Sequence, residues 1–146
     1  MKMNTDLKQL LALSMPTFAY TKLERFADHE YRASGVPEIE HSFASVDLSQ
    51  VAGTTHPVYG GRSWIDLLGN PPGGEFAELQ HIRRYLRYMV ENPSYYTKDE
   101  KKPGWSFYLV DGRYYIGDGS HRTVIGRFLL SLNGLPTTVS GVLAGR

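Results

Sequence analysis

The chain has 146 residues, with 16 Lys and Arg against 15 Asp and Glu, a formal net charge of +1, and no cysteine. That length suits one compact domain, and the near balance of charge excludes a strong global field for drawing in nucleic acid, so any polyanion site must be local. The missing cysteines exclude disulfides, thiolate nucleophiles and cysteine metal sites, which suits a cytoplasmic home and is also compatible with a periplasmic one.

In chain order, Leu7, Leu10 and Leu11 recur at helical spacing, which predicts a helix over 5–13 capped by Thr5 or Asp6. Asp6, Lys8 and Gln9 interrupt the order a signal peptide needs, so an amphipathic helix is the reading for this leucine cluster. No apolar run has the length to cross a membrane, so no membrane partner is expected. Pro16 separates this helix from a second one predicted over 21–33, with Thr21 as cap, Leu23, Phe26, Ala27 and Tyr31 as its apolar stripe, and Gly35 and Pro37 closing it. A short strand is expected over 39–46. A polar, glycine-containing loop follows over 47–61, where Thr54, Thr55, His56 and Arg62 could close over a ligand.

The turn cluster 69–74 precedes a helix predicted over 75–91, its stripe being Phe76, Leu79, Ile82, Leu86, Met89 and Val90. Arg83, Arg84 and Arg87 share another flank. They are the densest positive patch of the chain and read either as a solvated face, with Arg87 paired to Glu91, or as a nucleic-acid phosphate track. The period then changes from 3.6 to 2: the run from Trp105, the Asp111-Gly112 pair and the run to Ile116 predict a two-residue hairpin with a type I′ turn. A helix is expected over 121–132, burying Val124, Ile125, Phe128, Leu129 and Leu132, with Asn133-Gly134 as its end and Pro136 as its stop. A last strand is expected over 137–143, beside the hairpin. The whole is an α+β, or mixed α/β, domain with helices packed on a small mixed sheet. Ten tyrosines suggest a half-polar, tyrosine-lined surface in addition to a core.

The junction between hairpin and last helix, Gly117-Asp118-Gly119-Ser120-His121-Arg122, is an anion site in outline. Two glycines and a hydroxyl residue leave amides uncrowded where the positive end of a helix dipole begins. His121 and Arg122 stand on the first turn, and an exposed arginine there contributes at most about 1 kcal/mol to stability. A carboxylate as close as Asp118 repels a phosphate unless a cation intervenes, so a functional Asp118 implies Mg²⁺. The other histidines, His29, His41, His56 and His81, lack metal-ligand spacing.

The run Tyr115-Ile116-Gly117-Asp118-Gly119-Ser120-His121-Arg122, followed by a helix, Asn133-Gly134-Leu135-Pro136 and a strand, resembles the ParB/sulfiredoxin-like fold, also called the ParB N-terminal or ParB-like nuclease domain. A weaker similarity runs through 43–51, with 53–57 in the place of a ligand-facing loop. The resemblance covers roughly 38–143 and leaves 1–37 as an N-terminal helical extension to a domain over 38–146. It implies phosphate contact at Gly119, Ser120, His121 and Arg122, with Thr55 and His56 in the ligand-facing loop; Gly117, Thr123 and Arg62 beside them are further ligand-binding candidates. Asp118 and His121 become catalytic candidates, Asp118 doubling as a Mg²⁺ ligand. The activities in view are nucleotide hydrolysis, phosphoryl transfer and nuclease action, with a DNA-associated protein and a non-catalytic interaction module as alternatives. Ser120 stands where sulfiredoxin carries its catalytic cysteine, so sulfinate reduction is not expected. The partitioning proteins carry Gly-Glu-Arg-Arg at the motif and continue into a helix-turn-helix domain, which these 146 residues lack.

Overall fold

The computed structural model describes residues 2–26, 42–69 and 82–145. Its elements are α1 (Leu7–Leu13), β1 (Glu24–Arg25), β2 (Ser42–Asp47), β3 (Val51–Thr54), α2 (Trp64–Leu68), α3 (Ile82–Glu91), β4 (Ser106–Val110), β5 (Arg113–Ile116), α4 (Ser120–Leu132) and β6 (Thr138–Gly145). Short 3₁₀ turns at Thr17–Tyr20, Leu48–Gln50 and Pro93–Tyr96 lie between them. Among the described residues, six strands form one mixed sheet in the order β1-β3-β5-β4-β6-β2 and four helices accompany it, so the fold class is mixed α+β.

Local chemistry accounts for most of the boundaries. The Asp6 carboxylate accepts from the Gln9 amide and caps α1. Ser63 does the same for α2 through the Asp66 amide, and Gly69, in the left-handed region, ends that helix. Asp111 and Gly112 both have positive φ, at 51° and 75°, as a type I′ turn requires, and β4 and β5 pair antiparallel on either side of it. β6 then lies parallel to β4 and antiparallel to β2.

α4 lies across one face of the sheet. Its Val124, Ile125, Phe128 and Leu129 are buried in one core with Val46, Phe107, Ile116, Val139 and Val142 of the strands. Leu7 and Leu11 of α1, Trp64 and Leu68 of α2, and Ile82 and Met89 of α3 close that core from outside. A smaller cluster on the opposite face joins Phe26, Val110 and Tyr115.

Several expectations are corrected. The start of the expected helix over 21–33 is extended instead: Lys22 bridges to Ser63, and Glu24 and Arg25 pair parallel with Gly53 and Thr54. Edge pairing with a distant strand outweighs the local helical period there. The rest of that helix, with Gly35, Pro37 and Ile39, lies outside the described residues, as do His29 and His41. The expected loop over 47–61 contains β3, and α2 was not foreseen. The strand expected over 39–46 is described from Ser42 and runs on to Asp47. In the helix expected over 75–91, the described part buries Ile82, Leu86 and Met89, but Val90 is 53% exposed; Asn70 to His81, with Phe76 and Leu79, lie outside the described residues. Arg87 and Glu91 form no ion pair among the described residues.

Candidate functional site

β3 and β5 are parallel neighbours, with Thr54 opposite Ile116, so their carboxyl ends open side by side. In open sheets with parallel strands, ligands are held beyond such ends. Two loops leave there: 55–63, toward α2, and 117–119, toward α4. Thr55 ties them together, donating its amide (2.9 Å) and its hydroxyl (3.0 Å) to the Ile116 carbonyl.

The second loop is strapped to β4. The Gly117 amide donates to the Ser106 carbonyl, the Asp118 amide to Ser106 Oγ and the Ser106 amide to the Asp118 carbonyl. Gly119 is the N-cap of α4 at φ 93° and ψ 36°, and as a glycine it brings no side-chain cap of its own. A side chain at Gly119 is excluded twice over, by that φ and by Trp105, whose Cδ1 lies 2.5 Å from where a Cβ would stand. Asp118, an exposed residue, therefore neither caps the helix nor starts it. Ser120, His121 and Arg122, which open α4, are half-buried and stand at the positive end of the helix dipole.

Around this turn stands a ladder of rings. The His121 ring stacks on Tyr85 of α3 (centroids 4.8 Å apart, 15° between planes) and meets the edge of Tyr59 at 6.3 Å. Tyr59 stacks in turn on His56 at 3.6 Å. Nδ1 of His56 accepts from the amides of Val58 and Tyr59, so the neutral ring carries its proton on Nε2. Burial lowers the pKa of His56 below the usual histidine value.

A histidine whose folded pKa is depressed binds its proton more readily when unfolded, so stability is lost as pH falls below 6.5, the ordinary value, and is unaffected well above it. Protonation also removes the acceptor of two backbone bonds. We therefore expect the melting midpoint to drop on acidification through this range, and to drop less in His56→Ala; identical pH profiles for the two proteins would show that His56 carries no such linkage.

Arg122 takes a different position from the one its sequence context suggests. Its Nη1 donates to Tyr95 Oη (2.9 Å) and the Pro103 carbonyl (3.4 Å), and Nη2 to the Gly104 carbonyl (2.7 Å). The guanidinium lies over Trp105, and its Nε is buried without a hydrogen-bond partner. Arg122 is thus a structural tie with one buried donor to spare, not an exposed first-turn charge. Thr123 is fully buried; its hydroxyl accepts from Trp105 Nε1 and donates to the Gly119 carbonyl, both at 2.8 Å, so it holds the turn from beneath.

Beside the turn is a pocket of 340 Å³ lined by Arg84, Tyr85, Tyr88, Tyr95 and Arg122. Among the described residues, the lining includes two cations and no carboxylate. Tyr88 is 47% exposed and meets Tyr95 edge to face, while Arg84 lies over the Tyr85 ring. Tyr59, Tyr85, Tyr88 and Tyr95 are the site residues that sequence reading did not single out, and the tyrosine count was their one signal. Of the predicted residues, Thr55, His56, Gly117, Asp118, Gly119, Ser120, His121 and Arg122 come together. Arg62 fastens β1 through its backbone, accepting from the Leu23 amide. Arg83 and Arg87 are exposed on the outer face of α3.

No group of three or more potential metal-ligating side chains forms among the described residues, and no described helix is long and apolar enough to cross a membrane. No family model, curated protein or solved structure matches the chain. Fold and site together define a mixed α+β domain with a glycine-led helix start set beside a tyrosine- and arginine-lined pocket.

Proposed function

We propose that this protein binds a phosphate-bearing ligand, of nucleotide class, at the start of α4, within the ParB/sulfiredoxin-like fold that its motif resembles. One observation supports the reading: a helix start led by Gly119, where a positive φ and the Trp105 ring both oppose a side chain, opens at the carboxyl ends of two adjacent parallel strands. The amides from Ser120 onward and the His121 ring take the phosphate, and the cationic pocket beside them takes the rest of the ligand.

Phosphoryl transfer or hydrolysis at this turn needs positioning and neutralised charge more than a covalent nucleophile. Asp118 is a single exposed carboxylate, which fits a Mg²⁺ arriving with the phosphates and held mostly by their oxygens. His121, on the first turn of α4, is the candidate in this reading for moving a proton.

A thermal-shift panel of nucleotides and tripolyphosphate, with and without Mg²⁺, tests the reading. Ligand at 100 times its dissociation constant should stabilise the fold by about 2.7 kcal/mol, and His121→Ala should weaken binding roughly tenfold or more. A parent protein that no phosphate compound stabilises would end the proposal.

The exposed Arg83 and Arg87 of α3 support a second reading, a DNA-associated protein or nuclease. Binding to duplex DNA would then weaken with salt at a log–log slope near −0.9 per phosphate contacted. Arg84 is drawn over Tyr85 and into the pocket, which breaks the three-arginine track, so the expected result is a flat response.

A further inference from the structure

Lys102 is a buried charge that the proposed site does not use. It is 1% exposed, and its ammonium donates to the carbonyls of Lys98 (2.6 Å), Glu100 (3.2 Å) and Ser140 (2.6 Å). An ammonium has three donors, so the match is complete. Its Nζ also lies 5.6 Å from the centre of the Tyr95 ring. Burial pulls the ammonium's pKa below the usual lysine value, while Glu100 and Asp99 oppose the fall.

The cage is closed by the backbone as well. The Lys102 amide donates to the Gly141 carbonyl at 2.7 Å. Gly141 sits at φ 78°, and a Cβ there would lie 1.7 Å from the Glu100 carbonyl oxygen. The loop therefore presses directly on β6, and three carbonyl oxygens converge with their dipoles toward one point. Such a cluster repels itself unless a cation sits at its centre; carbonyl rings of this kind are how proteins replace the hydration shell of a monovalent ion. The next two residues along the chain, Pro103 and Gly104, supply the carbonyls that hold Arg122.

We propose that the 98–104 loop is built around a monovalent-cation site that the chain fills with its own Lys102 ammonium, and that this tethered cation sets the position of Arg122. Lys102 is a positioning residue: it acts on the pocket through the loop carbonyls, and the inference holds whether or not a phosphate ligand binds.

Chemical rescue tests it. Lys102→Ala removes what n-propylammonium can return. The variant should melt lower than the parent, and the Arg122 Nε–H, assigned in nitrogen-15 NMR by its loss in Arg122→Lys, should exchange with water roughly tenfold faster. Propylammonium should reverse both changes, whereas tetramethylammonium, which has no N–H to donate, should reverse neither. Unchanged Arg122 exchange in Lys102→Ala, or rescue by the two ions alike, overturns the proposal. If Lys102→Ala does not fold, the parent protein decides: a slowly exchanging lysine Nζ–H resonance at neutral pH is expected, and its absence overturns the proposal equally.

Discussion

Phe128→Ala is expected to cost about 3–5 kcal/mol of unfolding free energy, the range for deleting a fully buried aromatic ring. Phe128 is 0% exposed, and its ring lies 4.9 Å from that of Phe18, which in turn meets Trp64 edge-on. Arg127 covers Phe18 and Trp64 from outside. The ring thus joins α4 to both the 17–20 turn and α2, and none of these three elements can shift alone to fill the space it leaves. Urea unfolding should show a lower midpoint with an unchanged slope. A midpoint within experimental scatter of the parent's would mean that this part of the core collapses freely, against the packing described.

Arg122→Ala is expected to cost about 2–3 kcal/mol, more than an exposed arginine would. The substitution leaves the Gly104 carbonyl and Tyr95 Oη without their donor and uncovers the Trp105 ring. Arg122→Lys should recover little of the loss, because a lysine has the charge but not the planar fork that reaches Tyr95 and the loop carbonyls together. The two variants should therefore unfold at similar urea concentrations, both well below the parent. Full recovery by lysine would show that charge alone matters there and that the hydrogen-bonded geometry does not.

Much of the fold was legible because local chemistry and tertiary structure agree over its second half. The Asp111-Gly112 pair dictated a hairpin turn, and Asn133-Gly134 an end for α4, with Gly134 at φ 68°. The glycine turn before α4 was equally plain, since two glycines at a strand-to-helix junction answer a steric demand that Trp105 turns out to impose. The first half was harder. β1 exists only because Glu24 and Arg25 pair with a strand some thirty positions away, and nothing local distinguishes Leu23 and Phe26 from the stripe of a helix. β3 was hidden because Val51-Ala52-Gly53-Thr54 is short, small and glycine-containing, which is loop chemistry until neighbouring strands supply its bonds on both sides.

The site divides in the same way. The backbone part, from Gly117 to His121, follows from residue type and order. The roles of Arg122 and Thr123 do not, because their partners are Tyr95, Pro103, Gly104 and Trp105, brought in from another stretch of chain. The His56-Tyr59-His121-Tyr85 ladder draws on three separate segments, and only tertiary structure makes it one object.

The start of α4 as an anion site is tested most directly by nitrogen-15 NMR of the parent protein during titration with a nucleoside triphosphate. Saturable shifts of the Gly119, Ser120 and His121 amides, with the side chains of Arg84 and Arg122 responding at the same concentrations, are the result expected here. Shifts confined to the outer face of α3 around Arg83 and Arg87, with the α4 amides unmoved, would contradict it.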